Sequence, residues 1–356
     1  MTIGLVMLLG VTMVFVSSSE TRTEVDKAGR QIENGRFATE SIKEDIQLAG
    51  FYGNLVPAST TTWTTPDPCI SVDPVTGAMT ATATADLQTD FNGASSPVRL
   101  PVTIYGYENY SLGPPATATA SCVHNRKPGT DMLVTRRVST AEIDLAGGAA
   151  TAANDFYLQV SACSDTPSEA SFLLDKTQAN FTLHKVKPVG TPATCLSGDK
   201  APVNKYIQHI YYISTCNDCR GSGDGVPTLK MIELPGASGS VLTGGACATG
   251  ETPPCPIGVA EGIEDIRFEY GVDPTGSGTP ASYAVWSATT DWKNVIAVKM
   301  FLLARNTETT SNFTDSKTYS LSSDGALINS GAAFGDHYKR HVYTLTARAY
   351  NLADRR

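Results

Sequence analysis

No proline occurs before Pro57, and the stretch left uninterrupted changes character part-way along. Ile3 to Val16 (IGLVMLLGVTMVFV) is a run of 14 residues without a charge. As a helix it would span roughly 21 Å, short of the ~30 Å hydrocarbon core that about 20 residues are needed to cross. After Ser17-Ser18-Ser19 the pattern becomes one-sided. Val25, Ala28, Ile32, Ile42 and Ile46 recur at helical spacings, with Phe37 and Leu48 alongside. Arg22/Asp26 and Asp26/Arg30 form i,i+4 pairs of opposite sign. A signal-peptide core would want basic residues in front of the run, and the first basic residue is Arg22. An ordinary buried helix leaves the position of the run unexplained. The remaining reading is the second half of a membrane helix that continues into a stalk ending near Gly50, where Gly50-Phe51-Tyr52-Gly53 supplies a stop.

The rest of the chain points to β structure. Only 17% of its 356 residues are charged, and Thr-, Pro-, Ala- and Gly-rich stretches such as STTTWTTPDP and ATATADLQTD fill Asn54 to Ser121. Strands are predicted at Met132–Val138, Phe156–Val160, Phe181–Val186, Tyr206–Ser214 and Leu229–Leu234. Ile296, Val298, Met300 and Leu302 alternate with Val295, Ala297, Lys299 and Phe301, and Tyr343, Leu345, Ala347 and Ala349 do the same in the last strand. Period-two patterning with one more apolar face suits an antiparallel sheet laid against the amphipathic half of the stalk. The formal charge of -8 and the lack of a basic tract exclude nucleic acid as a partner.

Eight cysteines, none in the first fifty residues, imply disulfides in an oxidising compartment and metal or redox chemistry in a reducing one. Cys216-Asn217-Asp218-Cys219-Arg220-Gly221-Ser222-Gly223 is like one half of a zinc element, but the second half that tetrahedral zinc needs is missing. A thioredoxin-like site would need a βαβ setting, also missing. A local disulfide Cys216–Cys219 is therefore expected, and Cys247 and Cys255, which bracket a Gly- and Pro-containing loop, are expected to pair likewise. His337 and His341 would share a metal only on a helix, whereas the pattern there is a strand. Gly236-Ala237-Ser238-Gly239-Ser240 lacks the last glycine of a nucleophile elbow. No phosphate loop or paired-carboxylate pattern stands out, so no catalytic, cofactor or metal residue is assigned and a non-enzymatic role is expected.

Several blocks, in one order, carry a family resemblance. ENGRFA (Glu33 to Ala38), the acid and AGFYG of Asp45 to Gly53, VAEGIEDIRFEYGVD (Val259 to Asp273), DWKNVIAVKMFLLAR (Asp291 to Arg305) and DHYKRHVYTLTARAYNL (Asp336 to Leu352) resemble PilW-type minor pilins of type IV pili. The resemblance implies an α+β, pilin-like fold: a long N-terminal helix packed on an antiparallel β-sheet head with loop-rich β insertions. The expected organisation is a helix over 1–52 and a β-rich head over 53–356. Within the head, 54–258 would be the variable part and 259–356 the closing sheet. Ile3, Leu5, Leu8, Leu9, Val11 and Phe15 are expected to meet membrane or other subunits, and Phe37, Ile42 and Ile46 to be buried against the strands around Val298 and Leu345. The basic leader, glycine, phenylalanine and glutamate of prepilins are not seen before this run, so Met1 is expected to align inside the mature family helix. The implied role is initiation, assembly or tip structure of the pilus, supporting adhesion and twitching motility. Implied partners are other minor pilins, the major pilin and a tip adhesin. The implied location is the inner membrane, with the head periplasmic, and then the pilus at the cell surface. A minor pseudopilin of a type II secretion system is the alternative from the same superfamily, and a secreted hydrolase or carbohydrate-binding protein the alternative from another class.

Overall fold

The computed structural model describes residues 2–69, 87–108, 122–145, 147–152, 155–162, 169–184, 200–234, 247, 250–251, 255–287 and 290–353, with the side chains of 2–6 and 8–9 left out. Helix α1 runs unbroken over Thr2–Leu48, about 70 Å at 1.5 Å per residue. It stops where Gly50 takes the left-handed conformation (φ +76°), which glycine adopts without strain, and Gly50 N–H donates to the Arg136 carbonyl at 3.0 Å. The hydroxyls of Thr21 and Thr23 bond back to Ser17 O and Ser19 O, so the polar stretch after the apolar run keeps its hydroxyls within the helix. Among the described residues no helix is long and apolar enough to cross a membrane.

Among the described residues after α1, which form the head, most strands belong to two antiparallel sheets. The first contains β3 (Ile104–Tyr107), β4 (Met132–Ile143), β5 (Tyr157–Val160), β6 (Phe172–Asp175), β7 (Val203–Ser214), β8 (Thr228–Leu234) and β9 (Ile257–Glu261). Its centre is β7, which pairs with β4 along one edge and shares the other between β5 and β8. The second sheet has the order β11-β10-β12-β13, from β10 (Ile263–Val272), β11 (Ser282–Ala284), β12 (Val295–Arg305) and β13 (Arg340–Arg348). A small parallel pair, β1 (Thr62–Thr64) and β2 (Arg99–Pro101), completes the strands among the described residues. The fold is α+β, with an N-terminal helix and antiparallel sheets.

The main core lies where α1 meets both sheets. Ala38, Ile42, Ile46 and Ala49 join Val298, Met300, Leu302 and Ala304 of β12 and Ile210, Ile213 and Ile232 of the first sheet. β12 departs from the one-faced pattern. Phe301 and Leu303 on its other face are buried too, under Tyr319, Leu321, Ile328 and Phe334, because the segment after β12 folds back over it. Alternation along a strand cannot reveal a second cover supplied from elsewhere in the chain.

The strand expected at Phe181–Val186 does not form over its described part. Phe181 follows the turn Gln178–Asn180 and is buried against Tyr157 and Val203. Leu183 N–H goes to the side chain of Gln159 at 2.9 Å rather than to a strand ladder, and only His184 makes a bridge, to Lys200. Residues 185 and 186 lie outside the described residues.

Candidate functional site: the two faces of the helix

The face of α1 that docks on the head reads Glu24, Lys27, Gln31, Asn34, Gly35, Ala38, Ile42, Asp45, Ile46, Ala49, in steps of mostly three or four. Its upper half is polar. Glu24 takes hydrogen bonds from Lys339 (2.7 Å) and Thr310 (2.9 Å), and the Lys339 ammonium first of all holds its carboxyl down to about 2. Gln31 Nε2 donates to the carbonyls of Ala304 (2.8 Å) and Lys339 (2.9 Å), bridging the ends of β12 and β13. Asn34 Nδ2 donates to Glu261 O at 3.1 Å. One turn lower, Gly35 makes room for a ring. A Cβ built there would lie 2.6 Å from Tyr343 Cζ and 2.9 Å from its Cδ2, so the glycine of the ENGRFA block is the seat of Tyr343.

The lower half is apolar except for Asp45. Alternation puts Thr135 and Arg137 of β4 and His209 and Tyr211 of β7 on one sheet face, with Thr135 and His209 directly opposite. Asp45 enters this group and is buried. Its carboxylate accepts from His209 Nδ1, from Thr135 Oγ1 (3.0 Å), from Tyr211 Oη (3.0 Å) and from Arg137 Nε (3.2 Å). Burial pushes the Asp45 carboxyl up, but the His209 bond and the Arg137 charge outweigh it and the net shift is downward. His209 shows the mirror image. Burial lowers it, the bond to Asp45 and the ion pair of Nε2 with Glu233 (3.5 Å) outweigh that, and it rises to about 9. An ion pair buried at this depth stays favourable only when the remaining lone pairs are also bonded, and here Thr135 and Tyr211 do that.

A second buried knot fastens the start of β13. Arg340 pairs with Glu264 of β10 through Nε, with Asp315 at 2.9 Å and with Asp336 at 2.6 Å, and its guanidinium lies 3.7 Å from the Phe334 ring centre. Five donors in a planar fork suit three carboxylates at once. The EGIED and DHYKRH blocks, over seventy residues apart, are thus joined through Glu264 and Arg340.

Residues 210–351 match the family model described as type IV pilus-assembly protein W. The match supports a PilW-type protein of the type IV pilus. No curated protein and no solved structure gives a significant match. The PilW-type region holds most of what α1 docks on: β12, β13, Tyr343, Lys339 and the Arg340 knot, with Tyr211 at its near edge. Thr135, Arg137 and His209 lie outside it.

Away from the docking face, α1 leaves apolar side chains uncovered. The described side chains from Met7 to Thr23 are all exposed, so the helix leaves the head at Glu24. Val11 and Phe15 are among them. Ile3, Leu5, Leu8 and Leu9 lie on the same helix, but their side chains are outside the described ones. Alongside the PilW-type region the outer face carries Val25 (64% exposed), Ile32 (49%) and Phe37 (60%). The expected burial of Phe37 is therefore corrected, while Ile42 and Ile46 are fully buried. The reason is angular. Phe37 is one residue, about 100°, away from Ala38, which heads the docking line through Ile42, Ile46 and Ala49. Apolar residues sit on two faces of this helix, and periodicity alone does not say which one meets the head.

The cysteines form three disulfides among the described residues: Cys69–Cys122, Cys216–Cys219 and Cys247–Cys255. Cys163 and Cys195 lie outside the described residues. The long-range Cys69–Cys122 bridge, 53 residues apart, has no local signal in the sequence. No group of three or more His, Cys, Asp or Glu that could hold a metal occurs among the described residues. Asp45 and Arg340 were missed by sequence reasoning. For Asp45 a signal existed, a lone acid inside the stripe Ile42, Ile46, Ala49. For Arg340 there was none beyond its i,i+4 spacing from Asp336.

Proposed function

We propose that this chain is a minor pilin: a non-enzymatic subunit that helps initiate or cap a type IV pilus and so supports adhesion and twitching motility. The observation that carries the proposal is the two-faced helix. One face is locked to the head by Gly35–Tyr343 packing and the Asp45 network, and the helix surface outside that face leaves Val25, Ile32 and Phe37 in water. Exposed large apolar side chains continuing along one helix call for a further partner. Helices of other minor pilins and of the major pilin fit that chemistry, as does lipid around the first turns before assembly. In this reading the organisation is a stalk over 1–52 and a head over 53–356, held at the inner membrane with the head periplasmic and then carried to the cell surface. A tip adhesin would contact the head.

Val25→Asp with Ile32→Asp tests this. Both positions are exposed, so the urea midpoint of the head stays unchanged, while surface pili and twitching are lost on complementation of a deletion strain. Normal piliation with the double variant would overturn the proposal.

A further inference from the structure

The β7–β8 connection carries a disulfide set against a buried ion pair. At its start the Cys216–Cys219 disulfide lies against Lys230 of β8, which is almost wholly buried. Lys230 Nζ is 3.4 Å from Cys219 Sγ, 3.0 Å from Glu251 Oε1 and 3.1 Å from Asn217 O. Glu251, also buried, has its Oε1 3.6 Å from the same sulfur. The second disulfide helps deliver it: Cys247–Cys255 closes the loop that contains Glu251, and Cys247 N–H donates to Glu251 O at 2.9 Å. The two loops touch backbone to backbone. A Cβ at Gly250 would fall 2.7 Å from Arg220 Cγ and 2.9 Å from its Cα, so this contact needs glycine.

We propose that Cys216–Cys219 is a thiol–disulfide exchange site for an external dithiol, its reduced form held by the buried Lys230–Glu251 pair. A structural cystine needs no buried ammonium on its sulfur, and a buried ion pair is costly to maintain. A thiolate beside an ammonium is stabilised, and Glu251 holds that ammonium in place. Cys219 is half-buried and Cys216 buried, so Cys219 is the sulfur that meets an incoming thiolate.

The exchange balances as follows. A thiolate of the external dithiol attacks Cys219 Sγ, the Cys216–Cys219 bond breaks and Cys216 leaves as the thiolate. The second external thiol attacks the mixed disulfide and frees Cys219. Two electrons and two protons pass from the external dithiol, which becomes a disulfide, to the protein. One proton ends on Cys216 and the other on Cys219. The charged and titratable groups around Cys219 are Lys230 from β8, Glu251, and Asp218, Arg220 and Asp224 of its own loop, with His124 and Tyr212 coupled to Glu251.

The full chain is equilibrated in graded mixtures of reduced and oxidised dithiothreitol, alkylated, and mapped by mass spectrometry. Cys216 and Cys219 should be labelled at a reduced-to-oxidised ratio at least about tenfold lower than the other two mapped disulfides, and Cys219 alkylation should have its midpoint below the ordinary thiol value of ~8.5. Lys230→Met should move the midpoint back up. The double variant Lys230→Met/Glu251→Met, which removes both charges from the interior, should do the same if the single variant does not fold. Reduction of Cys216–Cys219 together with or after the other disulfides, or an ordinary midpoint in the unmodified chain, would overturn the proposal.

Discussion

Replacing Gly35 with alanine sets two opposed terms against each other in one helical turn. Alanine is the better helix former, by about 1 kcal/mol in a helix interior. Against this, the new methyl would lie 2.6 Å and 2.9 Å from Tyr343 Cζ and Cδ2, well inside the ~3.5–4.0 Å of a good carbon contact. Tyr343 has little freedom to give way. Its backbone is paired with Leu302 in the ladder between β12 and β13, and its ring sits edge-on to His341, 4.8 Å between centres. Overpacking of this kind costs roughly 1–3 kcal/mol, so the net result is a loss of up to about 2 kcal/mol. Urea denaturation followed by tryptophan fluorescence reads it, with two comparisons built in. Gly29 is on the same helix with nothing near its missing Cβ, so Gly29→Ala should stabilise by about 0.5–1 kcal/mol. In a Tyr343→Ala background the Gly35→Ala penalty should vanish. A stabilised Gly35→Ala, or an equal penalty in both backgrounds, would refute the ring-seat argument.

Asp45→Ala leaves the buried His209 and the half-buried Arg137 without their shared partner, and should cost about 3–5 kcal/mol by the same denaturation assay. The network also sets a pH dependence. Because the His209 pKa is raised in the folded state to about 9, its contribution is complete below its unfolded value near ~6.5 and is lost as pH rises through about 9. That shift amounts to roughly 3 kcal/mol, and melts at pH 6 and pH 9.5 should differ by a comparable amount that His209→Gln removes. Asp45, lowered, contributes above its unfolded value and loses its contribution as pH falls through the depressed one. Phe37→Ala should change stability by less than about 0.5 kcal/mol, whereas Ile42→Ala should cost about 2–5 kcal/mol.

The helix, its stop at Gly50 and the antiparallel strands could be read from the chain because each rests on local signals. A proline-free stretch, a glycine that takes positive φ, and period-two alternation in β12 and β13 all act within a few residues. What could not be read depends on pairs distant in sequence. Phe37 looked like core because it is large and apolar, yet the docking face was decided by which line of residues met Tyr343, Val298 and Leu302. Asp45 was visible as the acid of a family block and as a lone acid in the stripe Ile42, Ile46, Ala49. Its reason for being there comes from residues 135, 137, 209 and 211, which alternation places on one sheet face but which only the fold brings to the helix. The stretch from Phe181 failed as a strand because the Gln159 side chain took the Leu183 N–H that a neighbouring strand would have used. The short cysteine pairs were suggested by spacing, and Cys69–Cys122 needed the tertiary fold.

The central claim is that the outer face of α1 is an assembly surface. Photo-crosslinking in piliated cells tests it most directly, with a photoreactive residue placed in turn at Val25, Ile32, Phe37 and Ile46. The account predicts intermolecular adducts with pilus subunits from the first three positions, and from Ile46 only crosslinks within the chain. Intermolecular adducts from none of the outer positions, in cells that still make pili containing this chain, would contradict it.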